Sequence, residues 1–214
     1  MGAEPLRRPY VLGVTGGFAS GKSTVMAILR ELGAFTIDAD QVVHELSRPG
    51  GPVWEAIRRA FGPGVLDARG QLRRAELRRR IFQDPQAREL LNRVTHPIIL
   101  EELRRRIEQA LRGPAPVVAV EIPLLYEVGE PARRLVDGVL VVWADDAACQ
   151  ERARARGLSA QEAEAAIHAQ MPLERKRQLA DFVVDNSDGR DYTRRQLQEL
   201  WGLWTGRAHR PGGP

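Results

Sequence analysis

Lysine, cysteine and long apolar runs are what this chain has least of. In 214 residues lysine occurs only at Lys22 and Lys176, and every other basic side chain is arginine. Such a bias reflects genome composition as much as function, and against it Lys22 stands out as a position arginine did not take. Cys149 is the only cysteine, which excludes an internal disulfide and fits a reducing compartment, the cytoplasm by default. No apolar run approaches the ~20 residues that cross a bilayer. The segment Met1 to Pro9 carries Arg7 and Arg8 but no apolar stretch, so it does not read as a secretory signal. Aromatic residues make up 6% and are not interleaved with basic ones, which argues against a nucleic-acid interface despite the net charge of +4. Most arginines alternate with Glu and Gln, as in Glu101 to Glu108, and read as solvated helix faces. A modest basic surplus also suits a protein that must hold two polyphosphate ligands.

What is present begins with Gly16, Gly17, Phe18, Ala19, Ser20, Gly21, Lys22 and Ser23, which fit G-x-x-x-x-G-K-[ST]. Upstream, Tyr10 to Thr15 reads as a buried strand. Downstream, Thr24 to Leu32 places apolar residues at helical spacing and stops at Gly33. Strand, glycine loop and helix together turn the pattern into a site. Glycines let the backbone curl so that successive N–H groups point at phosphate oxygens, and the helix adds its N-terminal dipole. Lys22 then reaches the β- and γ-phosphates, and the Ser23 hydroxyl can hold Mg²⁺. A nucleoside triphosphate site is implied, with Thr24 at its edge.

No internal repeat or low-complexity linker interrupts the chain, so one domain is expected over residues 1–205. A second β-rich run over 34–37 ends at Asp38-Ala39-Asp40. Strands return at 117–120, 139–143 and 182–184, with the pattern between about 53 and 112 almost wholly helical. Asp84-Pro85 is an N-cap and first-turn pair, and Ser159 to Glu162 is a capping box. This order predicts an α/β, doubly wound parallel sheet of the P-loop NTPase kind. The core is expected at about 10–46 and 114–203, a helical insertion at about 47–113, a lid at about 146–172 and a flexible tail at 206–214.

Asp40 follows the second strand. Ligands of an open parallel sheet sit outside the carboxyl ends of its strands, so Asp40 and Lys22 should serve one crevice. A carboxylate there can take the proton of an attacking hydroxyl, while Asp38 or Asp40 can also cap the next helix. Glu121 closes the third strand after four apolar residues, the pattern of an acid associated with Mg²⁺ in P-loop proteins; an acid meeting solvent at a strand end is the plainer alternative. Arg152 and Arg156 are four apart beyond the fourth strand and could converge on a phosphate cluster, as lid arginines do. In the insertion, nothing in the periodicity alone singles out His96.

Together the strings Thr15-Gly16-Gly17 to Thr24, Ile37-Asp38-Ala39-Asp40 with His44, Gly70 to Arg74, and Thr95-His96-Pro97 resemble the dephospho-CoA kinases. So do Pro123-Leu124-Leu125-Tyr126-Glu127, Gln170-Met171-Pro172 and Ala180 to Asn186, and the likeness runs from about Tyr10 to Leu203. The resemblance implies ATP-dependent phosphorylation of the ribose 3′-hydroxyl of dephospho-CoA, the last step of coenzyme A synthesis. By it, Asp40 is the base, and Lys22 with Arg152 or Arg156 stabilises the transferring group. Asn186 borders the adenine, and the insertion, with Arg73 and His96, holds the acceptor. Both partners are then small molecules, with no nucleic acid or membrane, and the chain acts as a monomer or weak homo-oligomer. Two positions depart from the family pattern: Glu121 stands where aspartate is usual, and Cys149 where glutamine is.

The rivals are another P-loop nucleoside or nucleotide kinase and a regulatory ATPase. A GTPase is excluded by the lack of an Asn-Lys-x-Asp string, since neither lysine lies in one.

Overall fold

A computed structural model of the chain describes residues 8–168 and 170–207. The chain forms two compact units: one runs to Asp38 and resumes at Ile107, and the other is Ala39–Arg106. The first carries a five-stranded sheet. Its strands are β1 (Tyr10–Gly16), β2 (Phe35–Asp38), β3 (Val117–Glu121), β4 (Gly138–Trp143) and β5 (Phe182–Asp185). Their order is β2-β3-β1-β4-β5, and every pairing is parallel. Parallel strands buried on both faces need continuous apolar sequence, and β1, β3 and β4 supply it with Val, Leu and Ala wholly enclosed. Expected strand ends move by a residue, because Gly16, Asp38, Glu121 and Asp185 are held by the ladder although they are not apolar.

Helix α1 (Lys22–Glu31) buries Val25, Met26, Ile28 and Leu29. They pack with β1, β3 and β4, and with Leu197 and Trp204 of the last helix. The Trp204 ring meets Phe182 edge-on at 5.5 Å between centroids. That last helix spans Arg190–Arg207, so Gly206 and Arg207 are helical where a tail was expected; the remainder of that expected tail lies outside the described residues.

The second unit is helical: α2 (Ala39–Leu46), α3 (Pro52–Phe61), a 3₁₀ turn at Pro63–Val65, α4 (Arg74–Gln83) and α5 (Pro85–Ala110), whose last turn enters the first unit. It begins at Ala39 because α2 follows β2 with no loop between, so Asp40 belongs to it. A separate small core of Val53, Ile57, Val65 and Leu77 holds it together. Asp84 accepts the Gln86 amide at 2.8 Å, the cap expected at the start of α5.

Several arginines of these helices lie on solvated faces, as expected, and pair with glutamates of their own helix. Glu55 holds Arg58 and Arg59, Glu76 holds Arg79, and Glu102 holds Arg105 and Arg106, each three or four residues on. Arg106 also reaches Glu45 at 2.5 Å. Hydrogen bonds from Arg105 and Arg106 hold the Glu102 carboxyl down to about 2, from an ordinary 4.5. A depressed acid adds stability above the unfolded value and loses it as pH falls through the folded one. Thermal melting of the wild type should therefore fall more steeply between pH 4.5 and 2 than that of Glu102→Gln. Parallel melting curves for the two proteins over that window would assign the acid loss elsewhere.

Candidate functional site

The loop between β1 and α1 is packed so closely that two of its positions can carry no side chain of their own. A Cβ on Gly16 would lie 2.5 Å from the Val142 carbonyl oxygen, because Gly16 is still paired with Val142 of β4. Gly21 has φ +89°, and a Cβ there would sit 2.0 Å from the Asn186 amide nitrogen. Only glycine fits either place. Ala19 also takes a left-handed conformation, φ 57°, which a non-glycine residue holds only when its surroundings impose it. They do so here: Ala19 and Phe18 pack among Ala144, Cys149, Ala153 and Ala163. Gly21 caps α1 and its carbonyl accepts the Thr24 and Val25 amides, and the first-turn amides of a helix have no partner within the helix itself. Anions are bound at such places.

Lys22 opens α1 and donates from Nζ to the Gly17 carbonyl at 2.8 Å, which holds the ammonium over the loop's own backbone. Ser23 and Thr24 follow in the first turn, with Ser23 exposed. The Ser20 hydroxyl is buried and has no hydrogen-bond partner among the described residues. Two glycine positions that a Cβ would fill and one orphaned hydroxyl fit an oxygen-rich anion seated on the loop.

A second layer braces the far side of the loop. Helix α8 (Asp146–Ala155) begins at an Asp145 cap that accepts the Ala148 amide at 2.7 Å. It carries Arg152, whose Nη1 donates to the Ser20 carbonyl at 3.2 Å and Nη2 to the Asn186 carbonyl at 2.5 Å. Asn186, just past β5, donates from Nδ2 to the same Ser20 carbonyl at 2.9 Å and accepts the Thr193 hydroxyl at 2.7 Å. Arg156 lies just past the helix, at its C-cap, and is exposed. Cys149 is buried on α8, and burial pushes its thiol up. Helix α9 (Ala160–His168) starts with the expected capping box: the Glu162 carboxylate accepts the Ser159 amide at 2.9 Å, and the Glu162 amide donates back to the Ser159 hydroxyl at 3.2 Å.

At the strand ends, Glu121 is register-paired with Asp38 of β2 and with Val14 of β1. Two carboxylates therefore close adjacent strands at the carboxyl edge of the sheet. No cluster of three or more His, Cys, Asp or Glu able to hold a metal occurs among the described residues. Hard oxygen donors in small number suit Mg²⁺, which keeps several waters and completes its shell with phosphate.

A sequence model of the dephospho-CoA kinases matches residues 10–191. The chain belongs to the dephospho-CoA kinase family. A dephospho-CoA kinase of Symbiobacterium thermophilum is 48% identical over 192 residues, 89% of this chain and 80% of that one. One of Geobacillus kaustophilus is 41% identical over 90% of this chain and 96% of its own length. Among solved structures, a Thermus thermophilus protein superposes with a TM-score of 0.79 at 34% identity, covering 92% and 97% of the two chains. A shikimate kinase of Acinetobacter baumannii, with a TM-score of 0.55 and 17% identity over 95% of this chain and 97% of that one, shares the fold. Membership of a kinase family implies use of ATP.

In this dephospho-CoA kinase fold the residues read from sequence divide between the two units. Gly16 to Thr24, Glu121, Arg152, Arg156 and Asn186 stand in the sheet unit, and Asp40, Arg73 and His96 in the helical one. Asp38 ends β2, immediately before α2, and Asp40 occupies that helix's first turn. Arg73 precedes α4 and is exposed, and His96 is half-buried on α5, its imidazole pushed down by burial. Sequence reasoning missed Thr193, Glu127 and Lys176. The last carried a signal of its own, as the second lysine of an arginine-rich chain.

Proposed function

We propose that this chain transfers the γ-phosphoryl group of ATP to the ribose 3′-hydroxyl of dephospho-CoA, giving coenzyme A and ADP, the last step of coenzyme A synthesis. The observation that carries the reading is the glycine cradle with Lys22 on its backbone, inside a chain that matches the family over residues 10–191. Asp40 accepts the proton of the 3′-hydroxyl as its oxygen bonds to the γ-phosphorus and the bond to the β-phosphate oxygen breaks. Lys22 and the arginines Arg152 and Arg156 offset the charge spread over the transferring oxygens. Asn186 lies beside the adenine and also sets the loop, since both ends of its side-chain amide are bonded within the protein. Arg73 and His96 help to position the acceptor.

Mg²⁺ fits the donors Ser23 and Glu121, and when bound it neutralises charge on the β- and γ-phosphates. Both reactants are small molecules, and no described helix is long and apolar enough to cross a membrane. The reading takes the chain as a cytoplasmic monomer or weak homo-oligomer. Incubation with Mg-ATP and dephospho-CoA should add the mass of one phosphoryl group to the acceptor. Transfer to AMP, CMP or uridine instead would favour another nucleoside or nucleotide kinase, and ATP turnover with no acceptor a regulatory ATPase.

The brace on Ser20 gives a direct expectation. Hydrogen bonds from a charged group contribute about 1.5–3 kcal/mol each, and tenfold is about 1.4 kcal/mol. Arg152→Ala should therefore lower kcat/KM for ATP by about 10- to 100-fold. Arg152→Lys should recover only part, because one ammonium replaces a fork that spans two carbonyls. Arg156→Ala should register in kcat without changing KM for ATP. Steady-state kinetics with ATP varied would refute this if Arg152→Ala matched the wild type.

A further inference from the structure

Lys176 is the least expected charge in the molecule. It lies on helix α10 (Leu173–Leu179), which otherwise carries arginines at the surface, yet it is fully buried. Burying an ammonium is costly unless all its protons find acceptors and an anion stands beside it. Lys176 has both. Its Nζ lies 2.9 Å from Glu127 Oε1, and it donates to the Pro123 carbonyl at 3.1 Å and to the Gly16 carbonyl at 3.5 Å. Pro123 precedes helix α6 (Leu125–Val128) beyond β3 and Glu127 lies within it, and Gly16 is the last residue of β1, where the phosphate loop begins.

The groups around this ammonium are themselves tied down. Glu127 Oε1 also accepts the Met171 amide at 2.9 Å, and the Pro123 carbonyl also accepts the Thr15 hydroxyl at 3.0 Å. Leu173 packs under the loop, 3.3 Å from where a Cβ on Gly17 would be. One side chain thus joins three segments distant in sequence: the end of β1, the turn after β3 and the stretch that returns from α9. Arginine would not substitute, because a planar fork cannot direct three donors from one atom.

We infer that Lys176 is a positioning residue of the triphosphate site, holding the Gly16 carbonyl inward so that the amides following it stay turned toward the phosphates. It acts through the loop and touches no substrate. The inference rests on the reading of that loop as an ATP site and is independent of which acceptor is phosphorylated. Glu127 fixes the ammonium in place, and the Met171 contact anchors the chain returning from α9 to the same point.

The test removes the ammonium without stranding a buried charge. In Lys176→Met with Glu127→Gln the shape is kept and both charges go together, while the bond to Gly16 is lost. Equilibrium binding of Mg-ATP to the intact protein, followed with no acceptor present, should weaken tenfold or more. KM for the acceptor should stay within twofold. Glu127→Gln alone keeps one acceptor oxygen for Lys176 and the Met171 amide and only loosens the grip on the ammonium, so its ATP affinity should fall by about threefold; it decides the matter if the double variant does not fold. A folded double variant that binds Mg-ATP as the wild type does would overturn the inference, as would unchanged affinity in Glu127→Gln. If the wild type itself binds no Mg-ATP, the reading of the loop fails instead, and the two failures are distinct.

Discussion

Lys22→Ala should abolish useful turnover while leaving a folded protein. The ammonium is held over the loop by the Gly17 carbonyl at 2.8 Å, so its position is set by the backbone before any ligand arrives. A preorganised cation aimed at charge that develops in the transition state typically contributes a factor of ~100 to 1000 in kcat. The same substitution removes little from the core, because Lys22 is only half-buried and the apolar face of α1 starts at Val25. Thermal melting should therefore shift by no more than a few degrees (~1 kcal/mol or less). Lys22→Arg is the sharper control. In a chain that uses arginine nearly everywhere, failure of arginine here would show that a compact point charge is required. A folded Lys22→Ala protein that turns over ATP near the normal rate would remove the loop from the mechanism.

The features legible in sequence were those written in local pattern. Buried parallel strands must be continuously apolar, so β1, β3 and β4 could be read as runs of Val, Leu and Ala. The phosphate loop declares itself because two of its glycines cannot carry a Cβ. The caps at Asp84 and Ser159 were equally plain, since each bonds an amide two or three residues away. What sequence did not give is the second layer around the loop. Arg152 and Asn186 meet Ser20 from positions more than 130 residues away in the chain, with Thr193 holding Asn186, and no period or spacing encodes that meeting. The resemblance sets Asn186 beside the adenine but gives no hint that its side-chain amide is also bonded at both ends within the protein. Lys176 was hidden for the opposite reason. Its helix reads as solvated surface, Leu-Glu-Arg-Lys-Arg-Gln-Leu, and only the three-dimensional ring of acceptors makes a buried ammonium tolerable there.

Asp40→Asn should depress the chemical step far more than it weakens ATP binding. Asp38 ends the strand and pairs in register with Glu121, so it is the residue placed immediately before α2, while Asp40 sits one turn-position inside that helix. Asp38 stands immediately before α2, and the role proposed for Asp40 is proton transfer rather than starting the helix. Asparagine keeps the size and the first-turn place but cannot accept the proton of the attacking hydroxyl. General-base catalysis is worth ~100- to 10,000-fold, and kcat should fall within that range. Loss of a negative charge near a helix N-terminus costs only about 0.3–1 kcal/mol, so stability should change little. The separation is read by measuring kcat under saturating substrates beside the equilibrium affinity for Mg-ATP, which should stay within about threefold. Lost nucleotide affinity with kcat preserved would instead make Asp40 a metal-associated or helix-start residue. The base would then have to be sought among the other acids that end strands, Glu121 first.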